Sequence, residues 1–459
     1  VSAFTGRRVL VAGAGISGVA AAEVLLAHGA LVTVTDDDPA RLAGLPAGTE
    51  AATGGIPEGT ALIVTSPGRR PGHPLVAQAA ERGIELVGEP ELAWRIGAAA
   101  AEPPAWLVVT GTNGKTTTTG MLAAILQAAG LDAVACGNIG DPVISAVAEG
   151  HRVLAVELSS FQLHWSPSVR PVAGCVLNVA QDHLDWHGGM DAYAAAKARA
   201  LTGDVAVAVV DDVAAAGLLA AAPAPRRVEV TLGEPGPGQL GVAGGTLCDR
   251  AFAEAPVPLV DADQVTPGGA PGLADALAAA ALARAYGVGA EAVAAGLAGF
   301  RPGPHRAETV GTVGGVRYVD DSKATNPHAA DASLSAQEGS RVVWIAGGLL
   351  KGASVAELIA RRAPALAGVV VIGIDRVEIV GALARHAPHV PVAEVGTGED
   401  DPMTTAVRRA AALARPGDVV LLAPAAASMD QFRDYAHRGD AFRAAVRALA
   451  TPGPAGTRG

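Results

Sequence analysis

The sequence predicts an α/β protein of three domains, each built on a mostly parallel sheet. Short apolar runs alternate with helical stretches almost from end to end, the pattern of βαβ units. Two of those runs lead directly into glycine-rich turns that open helices, the arrangement in which α/β folds hold phosphate. At 459 residues the chain is also too long for one ordinary core. Half the residues are apolar but only 3% are aromatic, so alanine, valine and leucine must fill the cores.

Taken in order, strands are expected at 9–12, 31–35, 62–65 and 84–87, which make a Rossmann-like first domain over 1–97. Its first turn reads Gly13-x-Gly15-x-x-Gly18, and Asp36 closes the second strand. That spacing is the dinucleotide fingerprint. A turn that cradles one pyrophosphate can cradle another, so the fingerprint does not select NAD and hydride transfer. The stretch 97–106, GAAAAEPPAW, reads as a linker.

A second series, over 98–300, has strands at 106–110, 133–136, 153–156, 174–177 and 205–210. The Pro- and Gly-rich stretch 223–272 reads as a small β insertion with pieces at 228–232 and 246–248, and helices follow at 273–286 and 291–299. RPGPHR at 301–306 reads as a hinge. The third domain, 301–459, has strands at 316–319, 342–346, 369–374, 390–394 and 419–423, then a helix at 438–449 and a frayed tail. Motion is expected at both 97–106 and the neighbourhood of 301.

The net charge of −11 argues against a nucleic-acid partner, which would favour a basic surface. No apolar run reaches the length of a membrane span. Cys136, Cys175 and Cys248 form no CxxC pair, which argues against a disulfide framework or structural zinc and fits a reducing cytoplasm.

The sharpest motif is TGTNGKTTTT at 110–119, between an apolar strand and an apolar helix. Gly111, Thr112, Asn113 and Gly114 supply a curled backbone, and the helix N-terminus adds positive potential. Lys115 brings a point charge, and Thr116 and Thr117 bring hydroxyls for phosphate or magnesium. Val109 stands where the common P-loop has glycine. Glu157 follows another strand, where a carboxylate can hold magnesium, and Asp182 and His183 lie just past the next one.

Only four of the 34 basic residues are lysines: Lys115, Lys197, Lys323 and Lys351. Three follow strand ends, and Lys197 lies on an Ala-rich helix. In a chain that otherwise uses arginine, such placement points to work that needs a compact cation or a primary amine. In the third domain VDDSKATNP carries Asp321, Lys323 and Thr325, GGLLKG carries Lys351, and APAAASMDQFRDY carries Ser428. Two loops holding both lysines of that domain read as an anion site.

Taken together, GTNGKTT, ELSSFQL, Asp182-His183, Tyr193-x-x-x-Lys197, PHR (304–306) and DSKATN resemble the Mur ligase family. The resemblance implies an ATP-dependent amide ligase of cytoplasmic peptidoglycan precursor synthesis, a monomer that works through an acyl phosphate. SPG (66–68), DSKATNP and PAAASMDQF point, within the family, to addition of D-glutamate to UDP-N-acetylmuramoyl-L-alanine. It further implies that Gly111 to Thr117, Arg306 and Asp321 bind ATP, with His305 beside Arg306. Thr116, Glu157, His183 and Lys197 would serve two magnesium ions, Lys197 as a carbamate formed from CO2. Lys115, His183 and Lys197 would be catalytic. Gly15, Ile16, Ser17, Asp36, Ser66, Gly68, Asn138 and His183 would hold the UDP substrate. Lys323, Thr325, Lys351, Ser428, Met429 and Tyr435 would hold D-glutamate. Two departures stand out: Pro271, Gly272 and Asp275 replace the family's His-Asn-x-x-Asn stretch near adenine, and Ala426 replaces a common cysteine. The alternatives are another Mur-family or folylpolyglutamate-type ligase with a different amino acid, a nucleotide-binding relative without catalysis, and a hydride-transfer enzyme.

Overall fold

The computed structural model describes residues 3–450 except Glu338; the tail expected to fray lies outside them. Three sheets follow one another along the chain. The first holds β1 (Arg8–Ala12), β2 (Leu31–Thr35), β3 (Glu50–Ala51), β4 (Leu62–Thr65) and β5 (Leu86–Gly88), all parallel in the order 3-2-1-4-5. The second holds β6 (Ala105–Thr110), β7 (Ala133–Gly137), β8 (Val153–Glu157), β9 (Ala173–Val176), β10 (Val205–Val209), β11 (Arg226–Val230), β12 (Gln239–Ala243), β13 (Thr246–Asp249) and β14 (Val257–Asp261). Its order is 14-13-12-11-10-9-6-8-7, and only the β12-β13-β14 edge is antiparallel. The predicted β insertion is therefore a continuation of the central sheet.

The third sheet holds β15 (Glu308–Val313), β16 (Val316–Asp320), β17 (Val342–Gly347), β18 (Leu366–Ile372), β19 (Val392–Glu394) and β20 (Val419–Leu422), ordered 15-16-20-17-18-19. Only β15 pairs antiparallel, at the edge. The inner strands β8, β17 and β20 are buried along their whole length, as sheets covered on both faces require. The helices Lys115–Ala128 and Ala290–Gly299 pack backbone to backbone on the central sheet. A Cβ on Gly296 would lie 2.4 Å from the Ile125 Cα, so only glycine allows that approach.

The chain divides into two compact units. One runs to Thr266 and includes Gly272–Phe300; the other comprises Pro267–Pro271 and the chain from Arg301 onward. The break at 300/301 falls at the first residue of RPGPHR. The swing expected at 97–106 meets a different situation. Val9, Val11 and Leu25 of the first layer share one buried cluster with Trp106, Val108, Ile144 and Val156 of the central one. Hydrogen bonds fasten the same joint: Gly88 N donates to Trp165 O at 2.7 Å, and Ile144 N donates to Glu89 Oε1 at 2.6 Å. Rotation there would expose apolar surface at about 25 cal/mol per Å2, so 97–106 is a packed connection within one unit.

Candidate active site

Strand β6 lies between β8 and β9, with β7 beyond β8, so the turns after all four open at one edge of the sheet. This is where open α/β sheets gather ligands. The turn after β6 is the expected phosphate loop. Gly114 has φ +85, and a Cβ there would lie 2.3 Å from Asp275 Oδ1. Asp275, expected near adenine, thus abuts the phosphate loop. The helix Lys115–Ala128 begins without a side-chain cap, which leaves its first amides for an anion. Lys115 Nζ donates to the carbonyls of Gly111 and Thr112, both at 2.9 Å.

Two residues to which the motifs assign no role hold this loop. Asn178, just past β9, accepts from Asn113 N at 2.9 Å, returns a bond to Asn113 O at 3.2 Å, and takes Thr112 N on its own carbonyl. The Tyr193 hydroxyl meets Thr112 Oγ1 at 2.9 Å. The sequence pattern marks Tyr193 only as a companion of Lys197 on its helix.

Lys197 is 1% exposed, and its Nζ donates to Gly111 O at 2.6 Å. Burial, and then the charge of Lys115, push its amine well below the ordinary lysine range, against the pull of Asp182 and Glu157. Glu157 is also 1% exposed. Its Oε1 accepts from Asn138 Nδ2 at 2.8 Å, and its Oε2 is buried with no hydrogen-bond partner. Asn138, expected at the substrate, spends its amide on Glu157.

Among the described residues no three His, Cys, Asp or Glu side chains gather as a metal site. The expected magnesium set of Thr116, Glu157, His183 and Lys197 needs only two of those types. The fit is best at Glu157, because a buried carboxylate oxygen without a donor is satisfied by a hard cation.

His183 takes a left-handed backbone, φ 52, at the start of Leu184–His187. Its Nε2 lies 3.6 Å from Asp182 Oδ2, and its ring centroid is 4.7 Å from that of Phe161. Phe161 also packs on Trp186, at 4.6 Å. His187 contacts Ser160 Oγ at 3.0 Å, and burial, then His164, His183 and Lys197, depress it to about 4.

A cavity of about 840 Å3 opens beside the first sheet, lined by Gly13, Asp36, Ser66, Gly68, Arg69 and Trp186 among others. A Cβ on Gly13 (φ +130) would lie 2.6 Å from Ser66 Oγ, so the two loops touch there. Gly15, Ile16 and Ser17 form the uncapped start of the helix Ile16–Ala27. Asp36 turns inward: Oδ2 accepts from Ala14 N at 2.7 Å and Oδ1 from Asp38 N at 2.9 Å. Burial opposes its charge, but those amides with Arg41 and Arg69 hold it below the usual carboxylate value. Asp36 therefore shapes the loop. Asn138 and His183 are not among the residues lining this cavity. Two contacts nevertheless join its wall to the His183 turn: Trp186 Nε1 donates to Gly68 O at 3.1 Å, and Arg70 pairs with Asp185 at 2.6 Å.

In the second unit the turns after β16, β20 and β17 come from adjacent strands. Ala425 N donates to Ala324 O, Gly347 N to Pro424 O, and Leu349 and Ala427 exchange bonds. The expected D-glutamate residues lie on these turns, except Tyr435, which opens the helix Tyr435–Ala450. Lys323 Nζ sits 3.9 Å from the Tyr435 ring centroid, Thr325 follows in the same turn, and Lys351 takes a left-handed φ of 52. Ser428 is buried, whereas Met429 is 65% exposed. His305 Nδ1 meets Asp320 at 2.7 Å in a buried pair. Burial raises Asp321 to about 6, against its bond from Ala307 N and the charge of Arg306.

Nothing in the sequence singles out Arg438. It is fully buried, donating to Ser322 Oγ (3.0 Å), Ser322 O (2.8 Å) and Ala426 O (3.0 Å), and so ties the lysine turn to the serine turn. Arg438→Met leaves two carbonyls without these donors and is expected to cost roughly 3 kcal/mol. Arg438→Lys should recover little, since one ammonium cannot reproduce the fork. Thermal unfolding of the two variants tests this; a midpoint unchanged in Arg438→Met would contradict it.

Three family profiles match the chain: "Mur ligase MurD-like, N-terminal domain" over residues 7–88, "Mur ligase middle domain" over 109–237, and "Mur ligase, glutamate ligase domain" over 305–426. UDP-N-acetylmuramoylalanine–D-glutamate ligase of Rhodococcus jostii is 55% identical, over 97% of this chain and 96% of its own length. The enzyme of that name from Mycobacterium avium is 54% identical over 96% and 97%. Among solved structures, the UDP-N-acetylmuramate-alanine ligase MurC of Thermotoga maritima aligns with TM-score 0.58 at 18% identity, covering 96% of this chain and 99% of that one. These three profiles and the end-to-end likeness establish that the chain belongs to the Mur ligase family.

Proposed function

We propose that the chain is an ATP-dependent ligase that adds D-glutamate to UDP-N-acetylmuramoyl-L-alanine in peptidoglycan precursor synthesis. The observation that carries this reading is the 55% identity to an enzyme of that name over nearly the whole of both chains. The domains are taken as 1–97 for the UDP substrate, 98–300 for ATP and 301–459 for the amino acid. The proposed enzyme is a cytoplasmic monomer without nucleic-acid or membrane partners.

A carboxylate does not condense with an amine at neutral pH, because hydroxide leaves too poorly. ATP converts the L-alanyl carboxylate to an acyl phosphate; the D-glutamate amine attacks, and phosphate departs. Every species is anionic, so the protein acts by positioning and by neutralising charge. The phosphate-loop amides and Lys115 hold the ATP phosphates, and Arg306 and Asp321 contribute to the ATP site. Thr116, Glu157 and His183 would hold magnesium, which neutralises phosphate charge when bound. Buried Lys197 is poised as a neutral amine that takes up CO2, releasing a proton and leaving an N-carboxylate. Lys323, Lys351, Thr325, Ser428 and Tyr435 receive the two carboxylates of D-glutamate, with Met429 at the edge.

The test is ATP-dependent phosphate release with UDP-N-acetylmuramoyl-L-alanine and single amino acids. D-Glutamate is expected to support turnover, and L-alanine or meso-diaminopimelate is not. Turnover with either of those and none with D-glutamate would reject the assignment.

A further inference from the structure

Arg69 lies on the wall of the 840 Å3 cavity, one residue past Gly68, and is 9% exposed. Its Nε is buried with no hydrogen-bond partner. Its Nη1 is 2.8 Å from Nε2 and 3.1 Å from Nδ1 of His73, whose Nδ1 also accepts the Leu75 amide and caps Pro74–Glu81. The nearest carboxylate is Asp37, at 3.6 Å and 79% exposed. A guanidinium held this deep normally has its donors matched by acceptors. Here the protein leaves that matching incomplete, at a residue that lines the cavity.

The turn of Gly13, which also lines the cavity, leads to a helix start suited to an anion. Helix Ile16–Ala27 starts at Gly15 with no side-chain cap, and the contact of Gly13 with Ser66 brings that start to the turn leading into Arg69. Acidic side chains also line the cavity, but Asp36 is committed to backbone amides, and Asp37 and Asp38 are exposed. Asp37 is thus a solvent-facing counter-ion that an entering ligand can displace.

We infer that Arg69 is a diphosphate-binding residue of this cavity, positioned by His73 and held in check by Asp37. The inference rests on reading the cavity as the nucleotide-sugar site, and adds a residue that the glycine fingerprint does not include. A planar guanidinium meets two phosphate oxygens at once, and charge-assisted bonds of this kind are the strong ones.

The experiment is calorimetric titration of the full chain with UDP, uridine and pyrophosphate. Wild type is expected to prefer UDP to uridine. Arg69→Met should weaken UDP roughly tenfold to a hundredfold, the effect of one charged hydrogen-bond partner, and leave uridine within about twofold. Arg69→Lys, which keeps the charge but not the fork, should fall between. Asp37→Asn should tighten UDP in the wild-type background and have no effect beside Arg69→Met. Equal loss of UDP and uridine in Arg69→Met, or unchanged UDP affinity in both Arg69 variants, overturns the inference. If wild type binds neither UDP nor uridine, the nucleotide-sugar reading fails. Pyrophosphate binding that depends on Arg69 would then still sustain the anion site, and its absence would end that too.

Discussion

Lys197→Ala is expected to lower ligase turnover by about a thousandfold or more, the scale of losing a central electrostatic group. Small carboxylic acids such as formate or acetate should return part of it. The amine is buried against the phosphate loop and is held well below the ordinary lysine range by burial and Lys115. A neutral amine reacts with CO2, whereas a guanidinium does not, so Lys197→Arg should be as inactive as Lys197→Ala. A free carboxylate can occupy the space left by alanine, but not that filled by arginine. Stability provides a control. The unfolded chain takes up a proton at Lys197 below the ordinary lysine value of 10.5, and the folded chain does so only at a much lower pH. The lysine therefore disfavours folding increasingly as pH falls from 10.5 toward its folded value. In CO2-free buffer at neutral pH, Lys197→Met should be inactive yet unfold at a higher temperature than wild type. Full turnover in Lys197→Ala, or no rescue by any small acid, would remove the carbamate from the mechanism.

The parts legible in the sequence are those where one physical signal dominates. Strands buried on both faces read as apolar runs, and β1, β2, β4, β6, β8, β17 and β20 fall within two residues of their expected bounds. Strands β3 and β15 give no such signal. Both residues of β3 are exposed, and β15 lies half in solvent, so neither carries an apolar run. The scarcity of lysine marks all four lysines because each stands out from an arginine background. Tertiary partners leave no such mark. Asn178 reads as an ordinary turn residue and Arg438 as one of many helix arginines, until the fold sets each against the loop it holds. Asp36 has partners that its spacing does not show: it lines the first-sheet cavity, and its oxygens also accept from the amides of Ala14 and Asp38. Spacing reports where a side chain starts, whereas competition among nearby donors decides where it points. The joint at 97–106 misleads for a related reason. A Pro- and Ala-rich segment resembles a linker whether or not the layers it connects share a core.

Glu157→Gln is expected to raise the magnesium concentration needed for half-maximal turnover by at least about tenfold to a hundredfold, with turnover near zero at ordinary magnesium. The shape of the side chain hardly changes, and the glutamine carbonyl can still accept the Asn138 amide where Oε1 does now. The change is at the second oxygen, which is buried without a partner in the wild-type chain. Glutamine places an N–H donor there, which repels a cation and adds an unsatisfied buried donor costing about 1–3 kcal/mol. The substitution also removes one of the two charges that favour the protonated amine of Lys197. The Lys197 amine should therefore become still harder to protonate, and the loss in Glu157→Gln should not be recovered by raising pH. Manganese binding to the nucleotide-loaded protein, followed by calorimetry, separates the two effects. Weaker metal binding with unchanged nucleotide affinity assigns Glu157 to the cation. Unchanged metal binding with lost turnover would leave it a structural acid anchored by Asn138, and the cation would have to be held elsewhere at this edge of the sheet.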